Sequence, residues 1–248
     1  MHSELILAEQ HNAVYQIIIN RPDKLNALTD AMYADLVSHL KTAESDLNTK
    51  VVLLRSSGAH FSSGNDLADF LQTDFNLQSN VVQFLLALAR FSKPIIAAVN
   101  GAAVGIGTTM LLHCDLVYAA SDAKFAVPFI KLGLTPEGGS SQLLAKRCGE
   151  LKANEWLMTG RNVLADEALS TGLVNSVFDS SDRLWNEAQV SAEKLARNSS
   201  SILQKTKQLL KGGQVEEVIG LIEKEAEIFA ECLQTAEAKT AFAAFLKK

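Results

Sequence analysis

The chain has 248 residues, 48% of them hydrophobic and 21% charged, enough to bury about 70–75% of the surface its unfolded form would expose. With 23 Lys and Arg against 28 Asp and Glu the net charge is −5, and no basic run marks a nucleic-acid partner. Cys114, Cys148 and Cys232 are odd in number, far apart and never in a CxxC pair, which argues against a disulfide framework and a thiolate metal site and suits a reducing cytoplasm.

The amino terminus, MHSELILAEQHNAV, has a short apolar run and no basic start, so no export signal is expected. Tyr15–Ile19 and Val51–Leu54 are β-branched runs ended by turn residues, with an amphipathic stretch from Thr29 to Ala43 between them. They predict strand, helix, strand, with Thr29 or Asp30 capping the helix. Val81 to Ala89 has helical period, Ile95 to Val99 predicts a buried strand, and a helix is expected from Gly107 to Leu112. Leu116 to Ala119 predicts a further strand, paired with a helix after Pro136. The longest apolar stretch, 94–112, is divided by Asn100-Gly101 and predicts strand, turn and helix, not a membrane span. Short apolar strands alternating with helices predict an α/β architecture with a largely buried sheet.

From about Ser181 the pattern is helical throughout. Val215, Ile219, Ile222, Ala226, Phe229 and Leu233 form one apolar stripe, which must be buried on its own domain or on another subunit.

Several constellations are absent: GxxxxGK[ST], HExxH, GxSxG and a full GxGxxG. Two glycine-bearing turns stand out, FSSGNDL at 61–67 and NGAAVGIG at 100–107. Each follows a predicted strand and precedes a predicted helix. Such turns present backbone N–H groups free of side chains, and two of them can aim at one oxygen; they also serve simply to close strand-to-helix connections. In Thr135-Pro136-Glu137-Gly138-Gly139 the spacing predicts a cap at Thr135 and an acid in the first helical turn. Such an acid is stabilised by the helix dipole, which lowers its pKa. A catalytic Glu137 therefore needs a dry pocket, for which Leu134, Phe129 and Ile106 are the candidates.

Asn20-Arg21-Pro22 with Asn26-Ala27-Leu28, then FSSGNDL, then NGAAVGIGTTMLLHCD at 100–115, then FAVPFIKLGLTPEGGSS at 125–141, resemble in order and spacing the enoyl-CoA hydratase/isomerase, or crotonase, superfamily. The resemblance implies a spiral of ββα units over residues 1–195. A helical oligomerisation region at 196–248 would form a homotrimer or a dimer of trimers. It also implies an acyl-CoA thioester substrate, no metal, and no cofactor beyond the coenzyme A of the substrate. Ser63 and Ile106 are implied as the donors of a two-amide oxyanion hole. Lys24, Leu25, Ala27, Ser62, Gly64, Asn65, Asp66, Gly105, Phe129 and Leu134 are implied to line the CoA and acyl site, although Asp66 equally suits a helix cap.

Hydratases of this superfamily resemble one another in two glutamates, and this chain has Thr109 and Phe129 in their places. Glu137 instead matches the single acid/base of Δ3,Δ2-enoyl-CoA isomerases. The resemblance therefore implies an isomerase of fatty-acid oxidation. The other readings are a different enolate-forming crotonase, hydratase-like or acting on a ring-derived CoA ester, and a non-catalytic module that binds CoA or a protein.

Overall fold

The computed structural model describes residues 5–245. One strand not expected from the sequence opens the fold: β1 (Ile6–His11) pairs antiparallel with β2 (Val14–Ile19), the strand expected over Tyr15–Ile19. A single-turn 3-10 helix at Pro22–Lys24 leads to α1 (Asp30–Ser45), whose first turn is capped by the Thr29 hydroxyl on the Met32 amide at 3.4 Å. Then follow β3 (Val51–Ser56), the short α2 (Leu67–Phe70), α3 (Asn80–Arg90) and β4 (Ile95–Val99). Next come β5 (Ala102–Val104), α4 (Ile106–Thr109), β6 (Leu116–Ala120) and β7 (Lys124–Ala126). The helix expected over 107–112 is thus broken: α4 gives way to a 3-10 turn at Met110–His113.

Strands β1-β2-β3-β4-β6 and β9 (Ser176–Phe178) form one six-stranded sheet in that order, parallel except at the β1–β2 edge. A second, three-stranded sheet orders β5-β7-β8, with β8 at Val163–Leu164. After β4 and again after β6 the chain crosses from the large sheet to the small one, and this repeat builds the spiral. The first crossing turns at Gly101, whose φ is +55° and where a Cβ would stand 2.0 Å from the Ala59 carbonyl. Only glycine fits there.

The carboxyl-terminal half adds α5 (Ser140–Cys148), α6 (Glu150–Thr159), α7 (Ala165–Ser170) and α8 (Ser181–Ala196). Leu184, Ala188 and Ala192 of α8 pack against Val51, Leu53, Ile96 and Ala98, closing one face of the large sheet. The larger core lies on the other face, beneath α1 and α3. Among the described residues only helices follow Phe178: after α8 come α9 (Ser200–Lys211), α10 (Val215–Leu233) and α11 (Ala236–Phe245). The apolar stripe of α10 settles on its own chain, with Ile219, Ile222, Ala226 and Phe229 all buried in the main core. No helix among the described residues is long and apolar enough to cross a membrane.

Candidate active site

The two glycine-bearing turns meet. Ser62 exchanges backbone hydrogen bonds with the segment after β4, donating to Ala102 at 2.9 Å and accepting from Val104 at 2.9 Å. On the other side, the Ser63 amide donates to the Leu25 carbonyl at 3.0 Å. The Leu28 amide donates to Gly64 and the Leu28 carbonyl accepts from Asp66, both at 2.8 Å. Leu28 therefore brackets Asn65, and the Asn65 N–H faces away from Leu28. A Cβ at Gly64 (φ +94°) would lie 2.8 Å from the Val104 carbonyl oxygen, and one at Gly107 would lie 2.8 Å from that of Ser62. Bare backbone on both turns is what permits this approach.

The consequence corrects the expected donor pair. The Ser63 amide is engaged by Leu25 and is not available to a ligand. The amide of Asn65 and that of Ile106, at the start of α4, have no hydrogen-bond partner among the described residues. Beside Ile106, the Gly105 amide is held by Ala126 at 2.9 Å, and the Gly105 carbonyl accepts from Thr108 and Thr109. An FSSGND motif does not reveal which of its amides is spare, because that depends on what the neighbouring strands take.

Glu137 is 8% exposed. Its placement differs from the sequence expectation: α5 begins at Ser140, not after Pro136. Thr135 caps nothing, its buried hydroxyl having no partner among the described residues. Gly138 and Gly139, at φ +70° and +76°, turn the chain between Glu137 and the helix. The Thr109 hydroxyl donates to Glu137 Oε1, while Oε2 is buried with no partner among the described residues. Burial pushes the Glu137 carboxyl up to about 8, against the Thr109 hydrogen bond and with the help of the Glu225 charge. His113 Nε2, 2.8 Å from the Gly138 carbonyl, must carry the hydrogen, since that oxygen can only accept. Burial brings His113 down to about 4, so it is a neutral donor.

The cavity beside Glu137 is walled by Phe75, by Val81, Val82 and Leu85 of α3, and by Ile222, Ala226 and Phe229 of α10, with Asn65 at its edge. Its free volume, about 10 Å³, is of the order of one water. The groups expected to dry Glu137 are not its walls. Leu134 lines a separate outer hollow with Thr135 and Cys232, and Phe129, though buried, packs its ring on Phe229 at 6.4 Å. Helical period marks α3 and α10 as amphipathic, but only the fold brings both to one carboxylate. Opposite, the Tyr33 hydroxyl donates to Asn65 Oδ1. Burial and then the Glu137 charge hold the Tyr33 phenol well above its usual range, so it stays a neutral donor.

Of the remaining expected site residues, Lys24 and Leu25 are exposed beside the first turn. Ala27 accepts from Arg21 Nη1 at 3.0 Å. The Ser62 hydroxyl is fully buried and donates to the Asn26 carbonyl at 2.9 Å, so it is a structural bond and not a ligand. Asp66 is a cap: it accepts from Ala68 and Asp69 amides at 3.1 and 3.3 Å and pairs with Arg21 at 2.7 Å. That pairing also removes Arg21 as a free cation. Gly105, at φ +56°, has open space where a Cβ would stand.

The family model for enoyl-CoA hydratase/isomerase matches residues 9–248. The chain belongs to this family. Among relatives, it is 34% identical to the 2,3-dehydroadipyl-CoA hydratase of Escherichia coli, over 99% of this chain and 96% of that protein. It is 36% identical to the rat enoyl-CoA delta isomerase 2, over 90% of this chain and 58% of that protein. The solved structure of Pseudomonas aeruginosa OdaA superposes on this enoyl-CoA hydratase/isomerase family member with a TM-score of 0.96, at 40% identity and covering 99% of this chain and all of that one. Crotonase-type relatives thus include both hydratases and isomerases, and the site residues must distinguish them.

Proposed function

We propose that this family member is a Δ3,Δ2-enoyl-CoA isomerase that uses Glu137 as its single acid/base. The observation that supports the reading is one buried carboxylate, with one oxygen held by Thr109 and the other unpartnered. It stands in the cavity that Asn65 edges, and Thr109 and Phe129 occupy the positions where the hydratase resemblance calls for glutamates. A single carboxylate suffices for a 1,3-proton shift. Ionised Glu137 removes a proton from C2 of a 3-enoyl-CoA, and the electron pair delocalises into a dienolate whose negative charge lies on the thioester oxygen. The spare amides of Asn65 and Ile106 stabilise that charge; one such donor contributes about 3–4 kcal/mol in comparable sites. Glu137, now protonated, returns the proton to C4, giving the 2-enoyl-CoA.

Hydration asks for two groups, one to activate water and one to deliver its proton. The hydroxyl of Thr109 and the ring of Phe129 supply neither. The rat delta isomerase relative supports the assignment, and fatty-acid oxidation is the setting the resemblance implies. The exposed Ile202, Leu209 and Leu210 on α9, the last two 81% exposed, suit the homotrimer or dimer of trimers that the family resemblance implies.

The test is incubation with a 3-enoyl-CoA and, separately, a 2-enoyl-CoA in deuterated water. Conversion of the first and deuterium uptake by the second, without addition of water, are expected. Brisk hydration of the 2-enoyl ester overturns the assignment.

A further inference from the structure

We propose that Glu225 of α10 is a positioning residue for Glu137: by seating its carboxylate on the amino terminus of α5 it takes up the positive end of a helix that would otherwise act on Glu137. The proposal rests on the reading of Glu137 as the acid/base.

Glu225 is 6% exposed. Its Oε2 accepts from the Gly139 amide at 2.6 Å; its Oε1 accepts from the Ser141 amide at 3.0 Å and the Ser141 hydroxyl at 2.5 Å. Among the described residues it has no cationic partner; burial pushes its carboxyl above the ordinary range, and the donors at the start of α5 pull it back down and hold its charge once it is ionised. A carboxylate is rarely buried without a cation, and an uncharged side chain at position 225 would relieve the cost of drying one. Its placement makes sense from the side of Glu137. A helix amino terminus carries roughly half a positive charge, and α5 starts three residues after Glu137. Left uncompensated, that charge would favour the ionised form of Glu137 and weaken it as a base.

The same helix supplies the drying. Ile222, Ala226 and Phe229 of α10 wall the cavity, so a single docked helix both excludes water from Glu137 and occupies the end of α5. The other groups facing Glu137 are uncharged: the Thr109 hydroxyl from α4, the Tyr33 phenol from α1, the Asn65 amide, and neutral His113 behind Gly138. Asp30 and Asp69 bear on Tyr33. The charge that bears on Glu137 is that of Glu225.

The test follows the Glu137 carboxyl directly, by carbon NMR of the full-length protein labelled at its glutamate carboxyls, with the resonance identified by its loss in Glu137→Gln. In Glu225→Gln the titration midpoint of Glu137 is expected to fall by about one pH unit, and the acid limb of kcat/KM for the 3-enoyl-CoA to move with it. Glu225→Asp, which keeps the charge one methylene short, is expected to lie between. A merely structural role would lower the melting temperature and the active fraction while leaving the midpoint in place. A midpoint within about 0.2 unit of wild type in folded Glu225→Gln overturns the proposal; if that variant does not fold, Glu225→Met, which also removes the charge, decides by the same criterion. A moved midpoint in a protein without isomerase activity retires the proposed reaction and leaves the role of Glu225 standing.

Discussion

The hydroxyl of Thr109 donates to one carboxylate oxygen of Glu137 and leaves the other bare in an apolar cavity. A hydroxyl at this place orients the carboxylate without competing for protons, because it does not ionise in the working range. It also pulls the Glu137 carboxyl down against the larger effect of burial.

Glu137→Gln is expected to lower kcat for 3-enoyl-CoA isomerisation by about 10²–10⁴-fold, the usual contribution of a positioned acid/base. Acyl-CoA affinity should change by no more than a few-fold, since the amide keeps the shape of the carboxyl. Steady-state kinetics together with calorimetric binding of a saturated acyl-CoA check both halves.

The same variant should reveal what Glu137 does to stability. With its folded-state pKa raised from 4.5 to about 8, the native protein holds the proton more tightly than the unfolded chain does. That contribution is fully present below about pH 4.5 and is lost as pH rises through about 8. Glu137→Gln, which cannot ionise, should therefore melt higher than wild type at pH 8, by about 2–4 °C for each kcal/mol gained, and the gain should vanish near pH 4.5. Thermal melts across that range test it. In the same window kcat/KM of the wild type should rise with pH as the free base forms.

Thr109→Val keeps the volume and removes the donor. The Glu137 carboxyl then moves further above its ordinary range, so the acid limb of kcat/KM shifts to higher pH and activity at pH 7 falls by about tenfold, in line with the strength of a hydrogen bond to a charged group. A pH profile of the variant decides it.

Gly64→Ala tests the meeting of the two turns. The added methyl would stand 2.8 Å from the Val104 carbonyl at a φ of +94°, so the 62–65 turn must retreat from 104–107 and the Asn65 amide with it. A loss of about 10²–10³-fold in kcat is expected for one misplaced donor, larger than the loss in affinity for the CoA ester.

Replacing Leu209 and Leu210 by Glu, both 81% exposed, should shift the protein toward monomers in sedimentation velocity while leaving α10 docked. An unchanged oligomer would place the interface elsewhere.

Much of the fold was legible because its strands are apolar and its helices periodic. The run Ile95–Val99 reads as a buried strand and the 29–43 pattern as an amphipathic helix with its cap at Thr29, and both form as read. The short strands β5, β7 and β8 escaped notice, since two or three residues carry no periodicity. The break of the helix at Met110 and the start of α5 at Ser140 escaped for a related reason: both are set by contacts at glycine-rich turns, not by local propensity.

The chemical parts were equally written in the chain: one glutamate after Leu-Thr-Pro, no carboxylate at 109 or 129, glycines at 64 and 107. Their order determined the family and the chemistry within reach. Three matters waited for the tertiary structure. The first was which amide of the FSSGND turn stays free, the second which side chains dry Glu137, and the third on which body the α10 stripe is buried. Each depends on groups distant in sequence arriving at one point: Leu25 and Leu28 against residues 63–66, and α10 against a carboxylate almost ninety residues earlier. A hydrogen bond taken by a neighbouring strand, or water displaced by a remote helix, leaves no mark on the local pattern of the residues it affects.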